Sequence, residues 1–208
     1  MNASFREPIF HHWHLVENGR RTQPLSVGMV SAKGSFYAVF ENAETVRDGF
    51  ANPFVREKVL PHLPIHCDDF SNRESSWAWD LEHAEAGFLM SRPEIAKGVE
   101  EFLRLHENPD LISWLGGYDH MCFAQLFGRM TELPPDFPKH TDDIETFRKL
   151  LGYPRVVVER WGTQYHALDD ARYYREVWNY LMRYAECLGL KLGKLPFIDR
   201  YSCPEEQA

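Results

Sequence analysis

Three apolar runs near the start of the chain, "PIFHHWHLV" (8–16), "LSVGMVS" (25–31) and "SFYAVFE" (35–41), set the tightest limit on its fold. Each is rich in β-branched and aromatic residues, and the turn-forming stretches "ENGRRTQ" and "AKG" separate them. That pattern predicts an antiparallel meander of three strands. Successive side chains of a strand point to opposite faces, so His12 and His14 share one face of the first strand while His11 and Trp13 take the other. Side chains two residues apart start roughly 6–7 Å from each other, a span that one or two metal ions can bridge. Histidines so placed serve equally well as packed or surface residues, and at this level both readings stand.

After the meander the periodicity changes. "RDGFANPFVREKVLPHLP" (47–64) reads as a loop with a short helix. Residues 65–90 are acidic and aromatic and follow no period, which fits a packed excursion or a flap over a site. Ser91 and Glu94 have capping-box spacing, and Ile95, Val99, Phe102 and Leu103 recur at helical intervals, so a helix is expected over 92–106. "LISWLGGYD" (111–119) reads as a strand ending in glycines that presents Asp119 where a helix over 120–130 begins. Thr141 is expected to cap "DDIETFRKLLG", "RVVVER" (155–160) to form a short strand, and 167–189 to form a long helix. The order βββαβα followed by helices predicts an α/β fold, a central mixed sheet flanked by helices.

At 208 residues and 44% apolar content the chain suffices for one core. One domain over 1–189, with 65–90 as an inserted segment and 190–208 as a loosely attached tail, is the expected organisation. The four cysteines form no CxxC pair, and "MNASFREPIF" lacks the order of a secretory signal, so the expectation is a reduced, cytoplasmic protein. No apolar run approaches the roughly 18–20 residues of a bilayer span, so no membrane partner is expected. A net charge of -8 argues against a broad groove for duplex DNA, though not against a pocket for a strand end or a nucleotide.

At the start of the last helix, Asp169 and Asp170 suit the helix dipole as capping carboxylates. His166 lies four residues before Asp170 and shares its face if the helix already includes position 166.

The stretches "LISWLGGYDHMCFAQLFGRMTELPPDFPKHTDDI", "VREKVLPHLP", "SRPEIAKGVEEFL" and "YHALDDAR" carry a resemblance. Over roughly residues 8–180, interrupted at 65–90, the chain resembles the RNase AS type of 3'-5' exoribonuclease, a group of the DEDD exonuclease superfamily with an RNase H-like fold. The resemblance implies four carboxylates holding two divalent ions for phosphodiester cleavage. Its first motif, Asp-x-Glu, falls on His12 and His14; its second-motif aspartate matches Asp119 and its third Asp170. The general-base histidine falls on Tyr165, with His166 one position later. A sister group uses tyrosine in a Tyr-x-x-x-Asp spacing, which Tyr165 and Asp169 match.

Two imidazoles in place of two carboxylates suit Mg²⁺ poorly. His12, His14, Asp119 and Asp170 form instead a plausible metal set for Mn²⁺, Zn²⁺, Fe²⁺ or Ni²⁺. The expected function is then a divalent-metal-dependent phosphodiesterase, a 3'-5' exonuclease-like hydrolase acting on single-stranded RNA ends or small nucleotides. Tyr165 or His166 would orient or deprotonate the attacking water, and Trp13, Tyr118 and Trp161 are available to stack bases. The alternative is a catalytically inactive pseudo-exonuclease that binds nucleotide or RNA. The resemblance also implies a homodimer.

Overall fold

The structure, a computed structural model, describes residues 6–17 and 19–190. In chain order it runs β1 (Glu7–Glu17), β2 (Thr22–Ser31), β3 (Gly34–Phe40), α1 (Ala43–Ala51), β4 (Ile65–Cys67), β5 (Trp77–Trp79), β6 (Leu89–Met90) and α2 (Arg92–Leu103). There follow β7 (Pro109–Ser113), α3 (Gly116–Leu126), β8 (Thr141–Asp143), α4 (Ile144–Leu150) and α5 (Ala167–Cys187). Six strands form one mixed sheet in the order β6-β3-β2-β1-β7-β8, and β4 and β5 pair separately. The predicted meander is its antiparallel part, with His12 opposite Gly28 and His14 opposite Ser26. The remaining strands of the sheet join it in parallel.

Alternation along β1 divides the core. Ile9 and Trp13 pack with Ile95, Val99 and Phe123 of α2 and α3 on one face. On the other, Phe10 packs with Val177 and Leu181 of α5, and Val16 with Val46 and Phe50 of α1. The N-terminus of α5 presses against the sheet at Gly28, where a Cβ would overlap the backbone of Ala167 and Leu168. This close approach sets the start of α5 over the residue paired with His12.

Several local expectations are corrected. Helix α1 begins at Ala43, capped by Asn42, and a π-helical turn (Val55–Val59) and a 3-10 turn (Leu60–His62) follow it. Residues 65–90 hold the β4–β5 hairpin and the edge strand β6, which no periodicity in so few residues could announce. Strand β7 stops at Ser113, so Asp119 lies in the first turn of α3 rather than at a strand end. Thr141 sits in β8, and Asp143 caps α4 by accepting from the Thr146 N–H at 2.7 Å. Residues 155–160 form no strand; side chains rather than a ladder hold them, among them Tyr180, whose hydroxyl donates to the Arg155 carbonyl at 2.9 Å. The capping box of α2 forms as expected.

Cys67 and Cys122 are free thiols. Among the described residues no helix is long and apolar enough to cross a membrane. The expected tail lies, from residue 191 on, outside the described residues.

Candidate active site

Three elements bring the expected residues together. His12 and His14 project from β1 on the α5 side, their rings edge-to-face with centroids 4.7 Å apart. Ladder register shifts between His14 and Leu15, a bulge of the kind that re-aims side chains next to active sites. Asp170 comes from the first turn of α5, with Oδ2 3.2 Å from His14 Nε2 and 3.8 Å from His12 Nε2. One donor atom from each of His12, His14 and Asp170 lies within 4.8 Å of the others. Asp119 stands on the other side of the His12 ring: Oδ2 is 3.4 Å from Nδ1, and Oδ1 accepts from the Trp13 backbone N–H at 3.1 Å. It is therefore placed to orient His12, outside the group of three, as carboxylates commonly do for ligating histidines.

Burial and charge act against each other here. Burial opposes a charge on His12, but the Asp119 carboxylate, with Asp170, outweighs it and raises its pKa above the usual value. Burial wins at His14, taking it down to about 4 despite the bond to Asp170, and also at His11, down to about 4. Burial favours protonated carboxyls at Asp119 and Asp170, yet the histidines, with Arg160 at Asp170, hold both below the normal range. Lowered values at both His14 and Asp170 describe one arrangement: a neutral imidazole donating from Nε2 to an ionised carboxylate. His14 Nδ1 then accepts from the Ser26 hydroxyl at 3.4 Å. Rotating that hydroxyl to accept instead moves the proton to Nδ1 and frees Nε2 for a ligand.

These groups open into a cavity of about 680 Å³ whose walls include Phe54, Trp114, Tyr118, Arg160, Tyr165 and Tyr174. Tyr165 lines it from a left-handed backbone conformation (φ 66°). His166 does not line it: it caps α5 from outside the helix, and its Nε2 lies 2.8 Å from Glu85. Asp170, not Asp169, faces the cluster; Asp169 accepts from the Thr163 N–H and pairs with Arg172. Trp13, expected as a stacking surface, is a core residue at 1% exposure whose indole N–H donates to His11 Nδ1 at 2.9 Å. Tyr118 is 47% exposed at the cavity wall, while Trp161, 72% exposed, lines a neighbouring cavity.

Sequence reasoning missed Arg160, Tyr174 and Ser26. Arg160 pairs with Asp170 Oδ1 from a segment without regular structure, and no local pattern announces such a reach. Tyr174 was legible in principle, four residues after Asp170 on one helix face; its hydroxyl lies 3.4 Å from His12 Nδ1. Ser26 follows from strand pairing, directly opposite His14.

Fold and cluster together define an α/β protein with a His–carboxylate site at the junction of its sheet and two helices. No protein-family profile matches the chain. Two curated proteins do, the 3'-5' exoribonucleases Rv2179c (strain ATCC 25618 / H37Rv) and MT2234.1 (strain CDC 1551 / Oshkosh) of Mycobacterium tuberculosis. Each is 32% identical over 166 residues, covering 78% of this chain and 86% of the relative. The chain belongs to this 3'-5' exoribonuclease family, a group of exonuclease-type hydrolases.

Proposed function

We propose that the chain is a metal-dependent 3'-5' exoribonuclease-like hydrolase of the RNase AS type. In this reading its sheet is RNase H-like, residues 1–189 form one domain, and RNA ends or small nucleotides are the substrates. The observation that carries the reading is the convergence of His12, His14 and Asp170 on one point beside a cavity. Two imidazoles and one carboxylate suit Zn²⁺, Mn²⁺, Fe²⁺ or Ni²⁺ rather than the all-oxygen shell of Mg²⁺. Such an ion would supply Lewis acidity for phosphodiester hydrolysis.

The remaining groups have distinct work. Asp119 fixes the ring of His12, and the Ser26 hydroxyl serves either tautomer of His14. Tyr165, on the cavity wall, orients the attacking water or takes its proton. Arg160 offers guanidinium N–H groups to the substrate phosphate, and Tyr118 gives a ring for the terminal base.

One observation favours a second reading, a pseudo-exonuclease that binds nucleotide or RNA without cleaving it. Arg160 on Asp170 and His12 on Asp119 already match the two carboxylates with the protein's own cations.

The deciding experiment is cleavage of end-labelled single-stranded RNA across Mg²⁺, Mn²⁺, Zn²⁺, Ni²⁺ and Fe²⁺, with Asp170→Ala as control. A one-nucleotide ladder supported by the softer ions and absent from the variant is the expected result. No ladder with any ion, together with retained nucleotide binding, would replace this reading by the second.

A further inference from the structure

Outside the site, a second cavity of about 720 Å³ runs between residues 157–162 and the outer side of α5. We infer that this groove is a track for single-stranded RNA upstream of the 3' end, an inference that rests on the exoribonuclease reading above. Tyr173 lines both cavities, and the Arg160 guanidinium lies over its ring at 4.3 Å. The two spaces therefore share a wall, and a strand whose last nucleotide enters the first cavity meets the second as its adjoining path. The groove volume falls in the range of ligand sites.

The groove carries an aromatic that the fold does not use. Trp161 is 72% exposed, Val157 beside it is 69% exposed, and among the described residues no other ring packs against Trp161. Scattered exposed side chains need no explanation, but the segment that carries this indole is anchored on both sides. Gly162 follows it at φ 85°, where a Cβ would strike the Asp169 carboxyl. The Thr163 N–H donates to Asp169 at 2.9 Å, and Arg160 pairs with Asp170. The Arg160 side chain before the tryptophan and the Thr163 N–H after it are thus tied to the start of α5. A ring carried on an anchored segment pays less entropy on stacking an unpaired base than one on a free loop, and such rings make sequence-tolerant single-strand sites.

Arg172 and Arg175 line the same groove, each oriented by an acid, Asp169 at 2.8 Å and Glu176 at 3.0 Å. Each acid engages one nitrogen of its arginine, leaving further guanidinium N–H groups for phosphate oxygens. With acids balancing these arginines and a chain charge of -8, the track relies on stacking first and phosphate contacts second.

The test is fluorescence anisotropy with hydrolysis-resistant phosphorothioate RNA, a dinucleotide and a hexanucleotide, on the wild-type chain, Trp161→Ala and Trp161→Phe. In the wild type the hexanucleotide should bind more tightly. Trp161→Ala should weaken the hexanucleotide by at least about fivefold, the lower bound for one stacked base, and the dinucleotide by clearly less. Trp161→Phe should restore most of the difference. Equal weakening of both lengths, or of neither, overturns the track, as does a wild type that binds both lengths alike. A wild type that binds neither length removes the exoribonuclease reading itself and the track with it. Because the position is exposed, unchanged circular dichroism melts will show that the variants fold.

Discussion

Two His–carboxylate clusters meet at the start of α5. Around Asp170, contacts to His12 and His14 run from 3.2 to 3.8 Å, and the group opens into the cavity. Around His166, Nε2 is 2.8 Å from Glu85, whose other oxygen accepts from the Tyr37 hydroxyl at 3.2 Å. The His166 ring lies 4.4 Å from that of Tyr37, and Asp169 beside it is engaged by Thr163 and Arg172. The bonds of the second cluster lock the 65–90 segment and the preceding loop onto α5. The first faces the cavity, where the histidines and Arg160 on Asp170 can be exchanged for a ligand. Residue type alone does not separate a site from a clasp; access to a cavity does.

The largest expected effect breaks this comparison at its sharpest point, the adjacent aspartates. Asp170→Asn should abolish hydrolysis and metal retention while leaving a folded protein. Asp169→Asn should keep the hydrolysis of a dinucleotide, which does not reach the outer groove, and lower stability by about 1–3 kcal/mol through lost hydrogen bonds, roughly 2–4 °C in Tm per kcal/mol. Equal loss of activity in the two variants would erase the distinction.

A titration sharpens the role of the histidines. His12 has a raised pKa, so a binding ion must displace its proton at a higher pH than for an ordinary imidazole. His14, at about 4, is neutral well below that range. Zn²⁺ affinity measured by calorimetry should therefore decline as pH falls through the raised His12 value, beginning above 6.5. Affinity that holds constant down to pH 5 would count against His12 as a ligand, since His14 stays neutral over that range. Asp119→Asn should weaken the ion by about 10–100-fold, the usual cost of losing an orienting carboxylate. An undiminished affinity would deny it that role.

The smallest effect belongs to the clasp. Glu85→Gln keeps the geometry but weakens the bonds to His166 and Tyr37, for an expected loss of about 1 kcal/mol in urea unfolding with kcat near wild type. A large fall in kcat would make the clasp part of the machinery.

Much of the fold was legible because its signals are local. Three β-rich runs with turn residues between them mark the meander, Ser91 and Glu94 mark the start of α2, and the long period of apolar residues marks α5. Strands β6 and β8 and the β4–β5 hairpin were not, because strands of two or three residues are selected by their ladder partner rather than by their own composition. The same principle misled at 155–160, where a β-rich run found no partner.

For the site, the sequence by itself determined that His12 and His14 share a face, since alternation is a property of the extended backbone. That Asp119, 107 residues away, meets His12 was decided only by β7 carrying α3 alongside β1. That Asp170 rather than Asp169 looks inward, and that Arg160 reaches it, depends on how α5 rotates and how closely it docks at Gly28. Helix rotation against a sheet is settled by packing across the whole interface, so no window of sequence contains it.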